Sequence, residues 1–289
     1  MTDFRALHPL TQFIYFVVIL AISMASYNPF IIGISILGAI FYNIYIGKSV
    51  KSILAVIPLM VVVAVLNPVF SHKGATILFY WGNPITLESI LYGICTAFML
   101  FGVILWFGIF NYTMTSDKIV YIFGKVLPKG SLIVSMTLRL VPRLKLHLNT
   151  ILESQRAMGK DIKTAKFKDK IVIGGKAISA LISWVLEGAL VTSDSMQARG
   201  YGKKGRTNYS IFTFTLRDKI FMFVTLLFAF VVMYGFISEA LRFEFYPVIY
   251  MESFYCAIPY YIVFIVIAFL PFIYDFYEVS KWKLLKSKI

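Results

Sequence analysis

Ser195-Met196-Gln197-Ala198-Arg199-Gly200-Tyr201-Gly202 is a polar tract at the end of a long basic segment in an otherwise apolar chain, and its reading decides the fold of that segment. Gly200 to Gly205 fits Gly-x-Gly-x-x-Gly, and Gly200 to Thr207 nearly fits a phosphate loop with Arg206 in place of the lysine. Both patterns need a strand before the glycines and a helix after them, so that backbone N–H groups and a helix dipole cradle phosphate. Here a helical pattern precedes, and Arg206-Thr207-Asn208-Tyr209 shows no helical onset. The glycines therefore read as a helix end followed by a flexible basic loop. A weaker echo lies about forty residues earlier, Glu153-Ser154-Gln155-Arg156-Ala157-Met158-Gly159. Two helix ends closed by Ala-x-Gly on a basic segment read as docking points, not as an active site.

Hydrophobic residues make up 59% of the 289 and charged residues 15%, and the mean hydropathy is +0.80. That leaves too little polar surface for a soluble globule of this length, so the expected class is an all-α integral membrane protein. Lys and Arg outnumber Asp and Glu by 28 to 14, and in a membrane protein such an excess first reports which side of the bilayer holds it. Cys95 and Cys256 lie in apolar or juxtamembrane sequence and read as packing residues; His8, His72 and His147 are too far apart to form a zinc motif, so no metal is expected.

Catalysis finds no support either. General acid and base chemistry wants paired carboxylates or a His beside a nucleophile, whereas Asp117, Glu153, Asp161, Asp169, Glu187, Asp194 and Asp218 are scattered among lysines. No catalytic residue is expected, and no cofactor bound by the chain itself.

Six spans are expected: Leu10 to Ala25, Phe30 to Ile46, Ile53 to Phe70, Ile90 to Phe110, Ile220 to Ile237 and Ala257 to Phe276. Pro58 and Pro68 should interrupt the third, and residues 71–88, with Tyr80 and Trp81, suit an interfacial loop. The organisation is then a membrane part over 1–110 with four spans, a cytosolic domain over 111–218, and a membrane part over 219–289 with two spans and a basic tail. This topology puts 26 of the 28 Lys and Arg on one side, leaving only Lys73 and Arg242 opposite. Both termini are expected to be cytoplasmic in a multi-pass plasma-membrane protein.

The 111–218 segment carries 18 Lys and Arg against 7 Asp and Glu. Ser116-Asp117 should cap a short amphipathic helix, Lys118 to Val126, which Leu127-Pro128-Lys129-Gly130 ends. A second helix is expected from Ser131 to Met158, kinked at Pro142 about a third of the way along and capped by Gly159. A lysine-rich connector, Lys160 to Lys170, leads to a third helix from Ile171 to Arg199, closed by Gly200. Each long helix would reach roughly 40 Å. Residue chemistry alone leaves open a membrane-embedded enzyme or an anchor for lipid or nucleic acid. Aromatic residues are sparse among the lysines, which speaks against base stacking and a nucleic-acid partner.

Four tracts carry a family resemblance: Leu7-His8-Pro9-Leu10-Thr11, Leu138-Arg139-Leu140-Val141-Pro142, Gln155-Arg156-Ala157-Met158-Gly159 and Met196-Gln197-Ala198-Arg199-Gly200-Tyr201-Gly202. With four preceding spans, they make the chain resemble the T component of energy-coupling factor transporters, the cobalt-transport permease-like family. The resemblance implies a non-catalytic membrane subunit with two cytosolic coupling helices. Each ends in an Ala-Arg-Gly motif seated in a groove of one of two ATP-binding-cassette ATPases, which use the ATP. A separate substrate-binding S component completes the importer, and membrane lipid surrounds the spans. The implied docking residues are Ala157, Met158, Gly159, Ala198, Arg199 and Gly200, supported by Gln155, Arg156, Gln197 and Pro142. The first motif departs from the pattern, with Met158 where the family has arginine; Arg156 stands about 200° away around the helix and is no simple substitute.

Overall fold

The computed structural model describes residues 4–47, 54–71, 74–81, 83–126, 128–162, 164–201, 212–251 and 254–286. Lys48, Lys51, His72, Lys73, Leu127, Lys163, Glu252 and residues 202–211, which include Gly202 and Gly205 of the phosphate-loop-like pattern, lie outside the described residues. Two compact units are present: Met1–Ile119 with Phe212–Ile289, and Val120–Ile211.

The first unit contains helices α1 (Pro9–Ala25), α2 (Pro29–Tyr45), α3 (Ile57–Phe70) and α4 (Leu87–Thr113). It also holds the start of α5 (Ser116–Val126). The second unit takes the rest of α5, then α6 (Pro128–Ala157) and α7 (Phe167–Ala198), and α8 (Leu216–Ile237) and α9 (Phe254–Lys286) return to the first. Helix starts follow from sequence chemistry. α1 and α2 each begin with a proline, whose absent N–H costs nothing in the first turn. A polar side chain precedes each: His8 Nδ1 accepts from Leu10 N–H at 3.2 Å, and Asn28 Oδ1 from Phe30 N–H at 3.0 Å. α8 starts with a capping box in which Thr215 N–H donates to Asp218 Oδ2 at 2.8 Å.

Several expectations need correction. Residues 71–88 do not form a plain loop: β1 (Ile77–Trp81) pairs antiparallel with β2 (Asn83–Thr86), because the aromatic-rich run Ile77-Leu78-Phe79-Tyr80-Trp81 has high strand propensity. A second small hairpin pairs β3 (Phe243–Glu244) with β4 (Tyr250–Met251). Pro58 sits in the first turn of α3, where it fits without breaking the ladder, while Pro68 does lie inside the helix. Pro128 to Gly130 form the first turn of α6, so Pro142 falls near the middle of that 30-residue helix. The residues expected as a basic tail continue α9 to Lys286.

By length and composition α4, α7, α8 and Phe254–Trp282 of α9 can cross a membrane. α1, α2 and α3 are shorter apolar helices of 17, 17 and 14 residues. Seventeen residues reach about 26 Å, a little short of a hydrocarbon core of about 30 Å, a mismatch a bilayer absorbs by local thinning. Apolar side chains such as Val17, Phe41, Val61 and Phe230 are exposed on the outside of this unit, as lipid contact requires.

Small residues set the helix spacing. A Cβ on Gly38 of α2 would stand 2.9 Å from the Ala268 Cβ of α9, and one on Gly93 of α4 would stand 3.0 Å from the Ala64 carbonyl of α3. Such contacts let backbones approach where no hydrophobic force separates helix from lipid. Between them, hydrogen bonds cross the helices: Trp106 Nε1–H donates to Ser35 Oγ at 3.0 Å, and Ser35 Oγ lies 2.7 Å from Ser23 Oγ.

The N-terminal lead is a folded part of this core, which its polarity did not announce. Phe4 is fully buried, edge-on to Tyr15, Phe16 and Tyr42. Its N–H donates to Asp275 Oδ1 of α9, and His8 N–H donates to Asp218 Oδ1 of α8 at 2.6 Å. Gln12 Nε2 returns bonds to Phe4 O and Leu7 O at 2.7 and 2.8 Å. Lys118 Nζ, outside the spans, donates to Arg5 O at 2.6 Å, Gln12 Oε1 at 2.9 Å and Thr113 O at 3.0 Å. Burial, helped by the nearby Arg5 charge, pulls the Lys118 ammonium down to about 8.

Two outcomes follow. Gly38→Leu should force α2 and α9 apart and cost about 1–3 kcal/mol, read as a lower thermal midpoint in detergent. Lys118→Met leaves three acceptors without their donor and should cost about 1–3 kcal/mol. Since Lys118 titrates below its ordinary value of 10.5, the unfolded chain holds the proton longer and the wild type gains stability as pH rises through the 8 to 10.5 window. The gap between wild type and Lys118→Met should therefore widen over that window.

Candidate functional site

α6 and α7 end in the same way. At the end of α6, Gly159 takes a φ of +78°, its N–H donates to Arg156 O at 2.9 Å, and Lys160 N–H reaches back to Gln155 O at 2.9 Å. At the end of α7, Gly200 takes a φ of +75°, its N–H donates to Gln197 O at 2.9 Å, and Tyr201 N–H reaches Met196 O at 3.0 Å. This pair of crossed bonds is the Schellman cap, and its left-handed residue favours glycine because a Cβ there is strained. The two Ala-x-Gly tracts thus fold into one backbone shape. Met158 and Arg199 occupy equivalent positions, the last residue before the left-handed glycine.

Both ends are open to the outside. Ala157, Met158, Gly159, Ala198 and Arg199 are exposed and Gly200 is half-buried; Met158 keeps 68% of its surface. Of the supporting residues, Gln155 and Arg156 lie in the last turn before the first cap and Gln197 in the last turn before the second. Pro142 is in the middle of α6, roughly 22 Å along the helix from Ala157, and belongs to neither end. Arg156 Nε sits 3.1 Å from Asp161 Oδ2, which ties the helix end to the connector. Beside the first cap is a cavity of about 300 Å³ lined by Gln155, Lys160, Asp161, Asp169 and Ile173 among others. Gln155 Oε1 is shielded there and has no hydrogen-bond partner among the described residues.

The spacing of the ends comes from α7. The first cap lies against the opening turns of α7, since Gln155 and Gly159 share that cavity with Asp169, Ile173 and Lys176. The second cap closes α7 at Arg199, so it lies most of a helix length away, about 39 Å from Ile173 at 1.5 Å per residue. α6 and α7 meet through the His147 ring, stacked on Trp184 at 4.2 Å, and through Ile173 and Ala177, the buried residues of α7. Ile178, Ile182, Leu186 and Leu190 recur every four residues along α7, each more than half exposed.

The capping glycines and both exposed tips were readable from the sequence. The buried network of Asp218, Asp275, Gln12 and Lys118 in the first unit was not, because each residue is a lone polar group at the edge of an apolar run and meets its partners only after folding. Among the described residues no group of three or more His, Cys, Asp and Glu is placed to hold a metal ion.

Comparison with known proteins agrees with this architecture. A family model described as cobalt transport protein, CbiQ, matches residues 4–209, from the buried N-terminal turn through both capped helices. The energy-coupling factor transporter transmembrane protein EcfT 1 of Listeria monocytogenes is 28% identical over 186 residues, covering 60% of this chain and 68% of its own. The corresponding EcfT of Listeria innocua is 28% identical over 234 residues, covering 74% and 79%. With the family model spanning well over half of its length, including both helix ends, the chain belongs to the cobalt transport protein (CbiQ) family.

Proposed function

We propose that this chain is the coupling subunit of an energy-coupling factor importer. Motion of two ATP-binding-cassette ATPases, driven by ATP that they bind and hydrolyse, enters through the ends of α6 and α7 and passes to the membrane helices and to a substrate-binding S component that delivers a micronutrient, a vitamin or a metal ion. The chain itself performs no chemistry. The observation that carries this reading is the pair of Schellman-capped, exposed helix ends set most of a helix length apart. Ala157 with Gly159, and Ala198 with Gly200, keep each tip narrow enough to enter a groove. Arg199, at the second tip, offers a planar fork of donors that fits a carboxylate in such a groove. A rigid helix behind each tip transmits a push along its axis.

Two further features support the reading. α7 carries an exposed apolar stripe that the second unit does not cover by itself, as expected of a part that works inside an assembly. Lysines from Lys160 to Lys170 flank and enter the start of α7, and Lys203, Lys204 and Arg206 come after it in the sequence. A helix with basic residues at both ends fits a cytosolic rod better than a span, since one cluster would otherwise be stranded outside.

The test is co-purification and transport with the full complex. Arg199→Glu should place like charge against the carboxylate and weaken ATPase association by at least about 30-fold, with uptake falling in parallel. Gly200→Val, a β-branched residue forced to positive φ, should unmake the cap and reduce assembly as well. An intact Arg199→Glu complex with full transport, or a purified protein that never brings an ATP-binding-cassette subunit, would overturn the proposal.

A further inference from the structure

The two tips share one backbone but carry their side chains in opposite order. After the last alanine of α6 comes Met158-Gly159-Lys160, apolar then cationic; after that of α7 comes Arg199-Gly200-Tyr201, cationic then aromatic. Because the crossed cap bonds are the same at both ends, Met158 is spatially equivalent to Arg199 and Lys160 to Tyr201. All four are exposed. Arg156 does not repair the difference: it sits two residues earlier, on another side of the helix, and is paired with Asp161 at 3.1 Å.

Resting on the coupling reading, we infer that Met158/Lys160 and Arg199/Tyr201 are specificity pairs that assign the ends of α6 and α7 to two chemically different ATPase chains. The seat for α7 presents a carboxylate opposite Arg199 and an apolar surface opposite Tyr201. The seat for α6 has the reverse order, apolar opposite Met158 and acidic opposite Lys160. One seat cannot serve both tips well. A carboxylate facing Met158 would be taken from water with no cation to meet it, and an apolar surface facing Arg199 would bury an unpaired guanidinium. Such unpaired charge is how interfaces reject a near-identical competitor. Met158 suits a groove of less regular shape, since its unbranched thioether adapts to irregular apolar surfaces.

The experiment uses the full chain in its assembled complex, in a Cys95→Ala, Cys256→Ala background. Ser154→Cys and Ser195→Cys place one cross-linking site at equivalent, exposed positions one turn before each cap. The cross-linked ATPase is identified by peptide sequence. Expected are two different ATP-binding-cassette chains, one per site. Exchanging the pairs, with Met158→Arg and Lys160→Tyr together with Arg199→Met and Tyr201→Lys, keeps both glycines and hence both caps. It should reverse which chain each cysteine captures, and exchanging the α6 pair alone should lower capture of its own ATPase at least tenfold. The inference is overturned if both cysteines capture the same chain, or if the exchange leaves the assignment unchanged; either result leaves the coupling function standing. Capture of no ATP-binding-cassette chain at either site removes the coupling function and this inference with it.

Discussion

Two buried carboxylates, Asp275 and Asp218, hold the first unit in register by accepting main-chain N–H groups from the N-terminal lead. A helix-rich protein in lipid satisfies most of its backbone within each helix, so its loose ends must find partners elsewhere. Here the turn before α1 finds them on α8 and α9, elements more than two hundred residues away in sequence. Asp275 also accepts from the Tyr42 hydroxyl at 2.9 Å, which draws in α2, and Glu278 takes Arg217 at 3.3 Å one turn further along α9. Phe4 fills the space between these groups, and Lys118 closes the cluster from the start of α5. Removing the lead would take one main-chain donor from each of the two carboxylates and the Arg5 O acceptor from the Lys118 ammonium.

The second unit follows the opposite principle. Of the 32 residues in α7 only Ile173 and Ala177 are buried, and the His147–Trp184 stack is a contact of two rings, not a core. What is well determined is local: helix period, a capping glycine at each end, and an ion pair, Arg156 to Asp161, beside the first cap. Helices specified locally and left bare on one face suit a part whose tertiary contacts are supplied by other chains, and they keep their ends presentable because the caps need no outside partner.

This contrast explains how much of the molecule was legible in the sequence. Positive-φ glycines at helix ends are local events, so Gly159 and Gly200, and with them the exposed tips, could be placed from the residues around them. Helix starts at Pro9 and Pro29 were legible to within a residue for the same reason. The hairpin at Ile77–Trp81 was misread as a loop because its short runs sit beside a membrane helix and compete with its hydropathy. Lys118 was read as the opening residue of a short amphipathic helix, since nothing local says that Arg5, Gln12 and Thr113 will surround its ammonium. Gly38 gave no sign that it faces Ala268, because contact between α2 and α9 is a property of the assembled bundle.

α7 shows why mean hydropathy alone misleads in such a protein. Its best 18-residue window averages 1.5, enough to count as a span, against 2.2 for α4 and 2.6 for α8. The arrangement of its polar residues differs from that of a lipid-facing helix. At about 100° per residue, Lys176, Ser183, Glu187 and Asp194 fall within a sector about 40° wide, a polar stripe running along most of the helix. The apolar residues Ile178, Ile182 and Leu186 lie on another side and are exposed. A hydrocarbon environment would surround both sides equally and take in charged residues of the stripe, whereas a protein partner can cover the apolar side and leave the polar stripe in water. The apolar side of α7 is thus exposed in the second unit while its polar stripe runs along another side, the pattern of an amphipathic helix and not of one apolar all round.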